Sequence, residues 1–269
     1  MTTCERYSDY EFLTFHCNDH VLTVEFSRPD DYNAVHLPMH AELARVFAEI
    51  RTDSDVRAVV LTGQGKAFSA GGNLKGNKRY ETSVLDAFFG DARKIITDLL
   101  ELPQPIIAAI NGPAVGVGAT IALLCDMTIM SEKAIIADPH VTVGVVAGDG
   151  GLIAWSWLVG IGRAKQYLLT GDKLSASEAE RIGLVNRVVA PENVLSEAHA
   201  LAERFAAAPQ RALRGTKAAL NQILWDTANL TLDHALATEK ECYATGDHAR
   251  AVEAFLAGRE KNLAPHPAS

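Results

Sequence analysis

The sequence predicts an α/β fold built from repeated strand–strand–helix (ββα) units, and three observations lead there. Short β-branched, apolar runs recur at 56–61, 105–110 and 127–132, at lengths suited to buried strands. Glycine or proline turns punctuate the chain after them, at 63–72 and 111–118, where strands must give way to helices. Segments with helical spacing follow, and the pattern repeats about three times, as in a superhelix of ββα turns.

In order, residues 10–26 hold two strand-like runs joined at Asn18-Asp19, a hairpin signal that Arg28-Pro29 closes. A helix is expected over 37–51, where Leu37, His40, Leu43, Ala44, Phe47 and Ile50 recur at helical spacing. The strand 56–61 and its glycine turn lead to a polar loop at 75–83 and a second amphipathic helix over 84–102, stopped by Pro103. Residues 105–126 read as strand, Asn-Gly-Pro turn and buried helix start, and 127–139 as two further short strands. Residues 140–151 form a glycine-rich loop before the apolar helical segment 152–160. Ser175 and Glu178 have capping-box spacing, Gly183 closes that helix, and LVNRVV is the final strand. Helices are expected at 192–208, 211–225 and 232–257. Pro209 divides a core of 1–208 from a C-terminal helical region of 209–269.

With 269 residues, 48% of them hydrophobic, the chain can bury a full core. A formal net charge of -8 argues against nucleic acid as a partner. An anionic ligand would need a local basic patch, for which Lys75, Lys78 and Arg79 are the candidates. Cys4, Cys17, Cys125 and Cys242 show no CxxC pairing, so the expectation is a reduced, cytoplasmic protein without a disulfide framework. The N-terminus lacks the basic and apolar regions of a signal peptide. Residues 102–125 carry no formal charge, but prolines, glycines, a Gln and an Asn interrupt them, so they read as core and not as a membrane span.

Gly116 and Gly118 bracket Val117 where a helix begins. Its unpaired N–H groups can hold an oxyanion, or the glycines can simply allow close packing. The sequence FSAGGN places a second exposed amide, that of Gly72, after another buried strand. Two such units can aim two amides at one oxygen.

The segments RPDDYNAV (28–35), LTGQGKAFSAGG (61–72), NGPAVGVG (111–118) and LLTGDKLSASEAERIGLVNRVV (168–189) carry a resemblance to the enoyl-CoA hydratase/isomerase (crotonase) superfamily, in order and spacing, over nearly the whole chain. The resemblance implies the ClpP/crotonase fold, an acyl-CoA thioester as substrate and no prosthetic group. It also implies an oxyanion hole made by the amides of Gly72 and Val117, and an adenine pocket lined by Ala70 and Leu74. The C-terminal helices would cover the site and build homotrimers, often paired into hexamers.

The two glutamates of a hydratase of this family fall on Thr120 and His140. A Thr hydroxyl lacks useful basicity, so Thr120 is left to position water or substrate. His140 is the substitute base, with Asp149 nine positions later to orient one ring nitrogen and leave the other free. That spacing is similar to the one in 6-oxocamphor hydrolase, a crotonase relative that cleaves a carbon–carbon bond of a β-diketone, and Glu239 matches an acidic residue there. Three readings stand: enoyl-CoA hydration or isomerisation, carbon–carbon hydrolysis of a β-dicarbonyl compound, and non-catalytic acyl-CoA binding.

Other motifs carry less. His16/His20 and His36/His40 are spaced i, i+4 but lack further ligands, so no metal is expected. GVGATI lacks the third glycine of a dinucleotide fingerprint, Ser69 is not at a nucleophile elbow, and Cys125 lies in an apolar run.

Overall fold

The computed structural model describes residues 4–74 and 81–258. Its main sheet has six strands in the order β1 (Leu13–Asn18), β2 (Val21–Phe26), β3 (Ala58–Gly63), β4 (Ile106–Ile110), β6 (Met127–Ser131) and β9 (Arg187–Val189). Only the β1/β2 hairpin is antiparallel. A smaller sheet joins β5 (Ala114–Val115), β7 (Ile135–Ala137) and β8 (Leu174–Ser175).

Every residue of β3 and β4 is buried, which is why both read as unbroken apolar runs and not as alternating patterns. One face packs on α1 (Leu37–Arg51) and α2 (Thr82–Glu101) through Phe47, Ile50, Ile95 and Leu99. The other face meets α6 (Val194–Ala207), whose Ala198, Ala202 and Ala206 form a small-residue stripe against Val60, Ile107 and Ile129. Each fully buried large side chain contributes roughly 1.5–3 kcal/mol of transfer free energy.

The strand–strand–helix repeat is visible three times. β3 leads to Ser69, which bridges in parallel to Ala114, and then to α2. β4 leads to β5 and α3 (Val117–Leu124), and β6 leads to β7 and α4 (Gly151–Thr170). In each unit the chain leaves the large sheet, makes a short parallel pairing and turns into a helix. The site is built at these exits.

Four expectations are corrected. The hairpin turn is Asp19-His20, since Asn18 still pairs with Val21, and both turn residues take positive φ (44° and 68°) as a two-residue turn requires. The helix after the glycine-rich loop does not end at 160; α4 bends at Gly160 (φ 77°, ψ 155°) and resumes to Thr170. The tail is not split between 225 and 232: α7 runs unbroken over Gln210–Tyr243, and α8 covers Gly246–Leu256. No Gly or Pro interrupts 226–231, and Ala228, Leu232 and Leu236 join the main core cluster. Finally, Cys4 and Cys17 form a disulfide with Cα atoms 5.9 Å apart, so cysteine usage no longer argues for a reducing compartment. Among the described residues, no helix is long and apolar enough to cross a membrane.

Candidate active site

Two glycine bends bring the exits of β3 and β4 against each other. Gly71 has φ +85°, and a Cβ there would sit 2.7 Å from the carbonyl oxygen of Val115. Gly116 has φ +52°, and its Cβ would lie 3.6 Å from His140 Cε1 and 3.9 Å from Gly71 Cα. The positive φ favours glycine at both positions, and at Gly71 the close approach also excludes a Cβ.

The groups flanking Gly72 are tied down on one side. Val35 N donates to Gly71 O (2.8 Å) and Asn73 N to Val35 O (2.9 Å), so the Gly72 amide lies outside this pairing. Val117 opens α3, where the first N–H groups have no intrahelical acceptor. Neither amide has a hydrogen-bond partner among the described residues. Both residues line one cavity of about 300 Å³, together with His140, Asp149 and Glu239.

Asn33 and Ser69 hold the first bend in place. The fully buried Asn33 donates to Gln64 O (3.0 Å) and Ala67 O (2.9 Å) and accepts from Arg28 N (2.8 Å). Ser69 Oγ donates to Asn33 O (2.8 Å) and accepts from Gly71 N (3.2 Å). Ser69 is therefore a brace. Ser69 lies outside a nucleophile elbow in the sequence, and its bracing role depends on contact with the distant Asn33.

His140 opens a short 3-10 turn after β7, and carboxylates face both of its ring nitrogens. Nδ1 makes a very short contact with Asp138, which is fully shielded from solvent. Nε2 lies 3.5 Å from Asp149 Oδ2, and Asp149 Oδ1 accepts from Thr120 Oγ1 at 3.1 Å. Gly150 and Gly151 allow this crowding, since a Cβ on Gly151 would fall within contact of Asp138 Oδ2. Glu239 arrives from α7, 3% exposed, with Oε2 unpartnered and close to Gly148.

Burial opposes the charged imidazolium, but Asp138 and Asp149 override it and hold the His140 pKa well above the ordinary histidine value. Burial raises the Asp149 carboxyl above the ordinary carboxylate value, opposed in part by the charge of His140 and the hydroxyl of Thr120 and reinforced by Asp138. Burial, reinforced by the two aspartates, pushes Glu239 up to about 8. At neutral pH the cluster therefore holds a cationic imidazole facing the carboxyl groups of Asp138 and Asp149, with a protonated Glu239 beside them. Asp138, His140 and Asp149 have ligand atoms within 4.8 Å of one another, a spacing that also suits a metal ion.

The structure thus brings Gly72, Val117, His140, Asp149 and Glu239 to one cavity. Thr120 was expected to position water or substrate; instead it is fully buried and donates to Asp149. Asp149 was expected to leave one nitrogen of His140 free, but Asp138 occupies Nδ1 and Asp149 faces Nε2. Leu74 lines the same cavity and packs on Val143, Val145 and Val252, whereas Ala70 is exposed and outside the lining. Lys75, Lys78 and Arg79 lie outside the described residues. Asp138 was missed, although an Asp two residues before a candidate His is a short-range signal.

A family model described as enoyl-CoA hydratase/isomerase matches residues 16–264. A short-chain-enoyl-CoA hydratase of Clostridium acetobutylicum is 37% identical over 245 residues, covering 89% of this chain and 92% of the relative. The crystal structure of an enoyl-CoA hydratase/isomerase from Mycobacterium paratuberculosis superposes with a TM-score of 0.89 at 35% identity, over 92% of this chain and 99% of that one. A β-diketone hydrolase from the cyanobacterium Anabaena has a TM-score of 0.84 at 29% identity, over 90% of this chain and 98% of its own.

Proposed function

Since the chain belongs to the enoyl-CoA hydratase/isomerase family, with a crotonase-like fold, we propose that it hydrates a 2-enoyl-CoA thioester using Asp149 and Glu239 in place of the absent glutamates. The amides of Gly72 and Val117 bind the thioester oxygen. Asp149 takes a proton from water, the water oxygen bonds to C3, and the π electrons move onto the thioester oxygen as an enolate. Glu239 then protonates C2. Transfer of the proton from Asp149 back to Glu239 restores the site, and the net change is addition of one water.

His140 keeps Asp149 poised, as a cation whose charge favours the carboxylate, and Asp138 fixes the ring through Nδ1. The observation that carries this reading is the cavity itself: the residues of two unpaired amides line the same space as the Asp149 carboxyl group and a protonated Glu239. Preorganised donors of this kind act on charge that develops in the transition state. The substrate is carried as its CoA ester, and no prosthetic group is needed for these steps. Assembly into homotrimers or hexamers belongs to the same proposal; the exposed apolar side chains of Ile161, Leu169 and Leu230 on α4 and α7 support it.

Loss of the conjugated-thioester absorbance of crotonyl-CoA, with 3-hydroxybutyryl-CoA as product, tests the reaction. A second reading, hydrolysis of a β-dicarbonyl compound, is favoured by the His140–Asp149 pair and by the likeness to the β-diketone hydrolase. Cleavage of a β-diketone with no turnover of any enoyl-CoA would select it.

A further inference from the structure

His40 and His36 play no part in these steps, yet both line the cavity. His40 lies on α1, is 4% exposed, and stacks on Phe88 with ring centroids 4.2 Å apart and planes at 24°. Among the described residues, burial alone perturbs its ring, with no hydrogen bond or charge acting on it. One helical turn earlier, His36 meets Phe12 edge-on at 4.4 Å, and its buried Nδ1 is unpartnered. The buried Nδ1 of His36 costs free energy while it lacks a partner, and at either position packing alone would be served better by Leu or Phe. Their neighbours on the cavity wall, Leu37, Val84, Leu85 and Phe88, are hydrocarbon.

Burial holds both rings neutral, His40 at a pKa of about 4 and His36 below the ordinary value with help from Arg28. Each neutral ring offers one donor and one acceptor. The same cavity is bordered by Asp149 and Glu239, with Asp138 behind His140, so an anionic acyl group would meet carboxylates there.

We infer that the acyl chain of the substrate carries a neutral hydrogen-bonding group, a hydroxyl or a ketone, which His40 binds while the apolar wall covers the remaining carbons. This rests on the enoyl-thioester reading of the site. His36, on the same wall, supplies a second hydrogen-bonding position.

The test compares kcat/KM for 6-hydroxy-trans-2-hexenoyl-CoA and 7-oxo-trans-2-octenoyl-CoA, each against the unsubstituted ester of the same chain length. A site built to bond a polar group discriminates strongly against an analogue that lacks it, so one of the polar esters is expected to be preferred about tenfold or more; which one tells hydroxyl from ketone. In His40→Leu that ratio falls to about one, and His40→Gln recovers part of it. Wild-type ratios near one for both pairs overturn the inference while leaving the hydration reading intact, and they decide the matter even if His40→Leu does not fold. A folded His40→Leu that keeps the preference also overturns it. If no enoyl-CoA ester, polar or apolar, is turned over, the hydration reading fails and this inference falls with it.

Discussion

Glu239→Gln separates the stability of this site from its chemistry. The Glu239 carboxyl titrates at 4.5 in an unconstrained chain and at about 8 in the fold, where burial and the aspartates disfavour its anion. Below pH 4.5 both states are protonated and its titration adds no cost. Between the two values the native state holds a proton that the unfolded chain has released, so rising pH favours unfolding. Each pH unit in that interval costs about 1.4 kcal/mol, and the whole interval about 5 kcal/mol. Gln is nearly isosteric and cannot ionise, so it removes this dependence. The expected outcome is a stability difference that grows in favour of Glu239→Gln from pH 5 to pH 8 and levels off above it. The assay is urea unfolding of both proteins across that range. Crotonyl-CoA hydration should meanwhile fall by about 10²–10⁴, the usual contribution of a positioned acid or base. Stability curves that run parallel at every pH would refute the argument that Glu239 is held protonated.

Val117→Pro deletes one amide donor at the first position of α3, where proline is tolerated, and should lower kcat for crotonyl-CoA by about 10²–10³ with the circular dichroism spectrum retained. Asp138→Asn removes the anion at His140 Nδ1, so the His140 titration followed by NMR should move to lower pH; an unmoved titration would exclude Asp138 as a cause of the raised value. Gly71→Ala forces a Cβ to 2.7 Å from Val115 O at φ +85° and should cost about 1–3 kcal/mol of stability. Gly72→Ala, with nothing within 4 Å of the added atom, should cost clearly less in the same denaturation assay.

Local signals carried the backbone of this fold. β3 and β4 announce themselves as unbroken apolar runs because both faces are covered, and the glycine bends at 71–72 and 116–118 stand out because the chain reverses within a few residues. His140 and Asp149 were readable as a pair since one glycine-rich loop connects them. What could not be read depends on packing between distant segments. Whether Asp138 or Asp149 takes Nδ1 is decided by the 3-10 turn at 140–143, which has no distinctive composition. Glu239 looks like any surface glutamate until the continuous α7 is laid against Gly148. His40 carries the helical period of a core residue, and only the fold shows that it lines the cavity. The Cys4–Cys17 disulfide likewise arises from the N-terminal segment folding back onto β1.

The most direct measurement of the central claim is exchange of the C2 protons of butyryl-CoA in deuterium oxide, followed by NMR. This saturated ester cannot be hydrated, so exchange reports only removal of a proton beside a thioester whose oxygen is held by the amides of residues 72 and 117. The wild-type protein should incorporate deuterium at C2, and Glu239→Gln and Val117→Pro should each slow that incorporation at least a hundredfold. Saturating butyryl-CoA that keeps its C2 protons, or exchange that both substitutions leave unchanged, would contradict an enolate held by these two amides and served by Glu239.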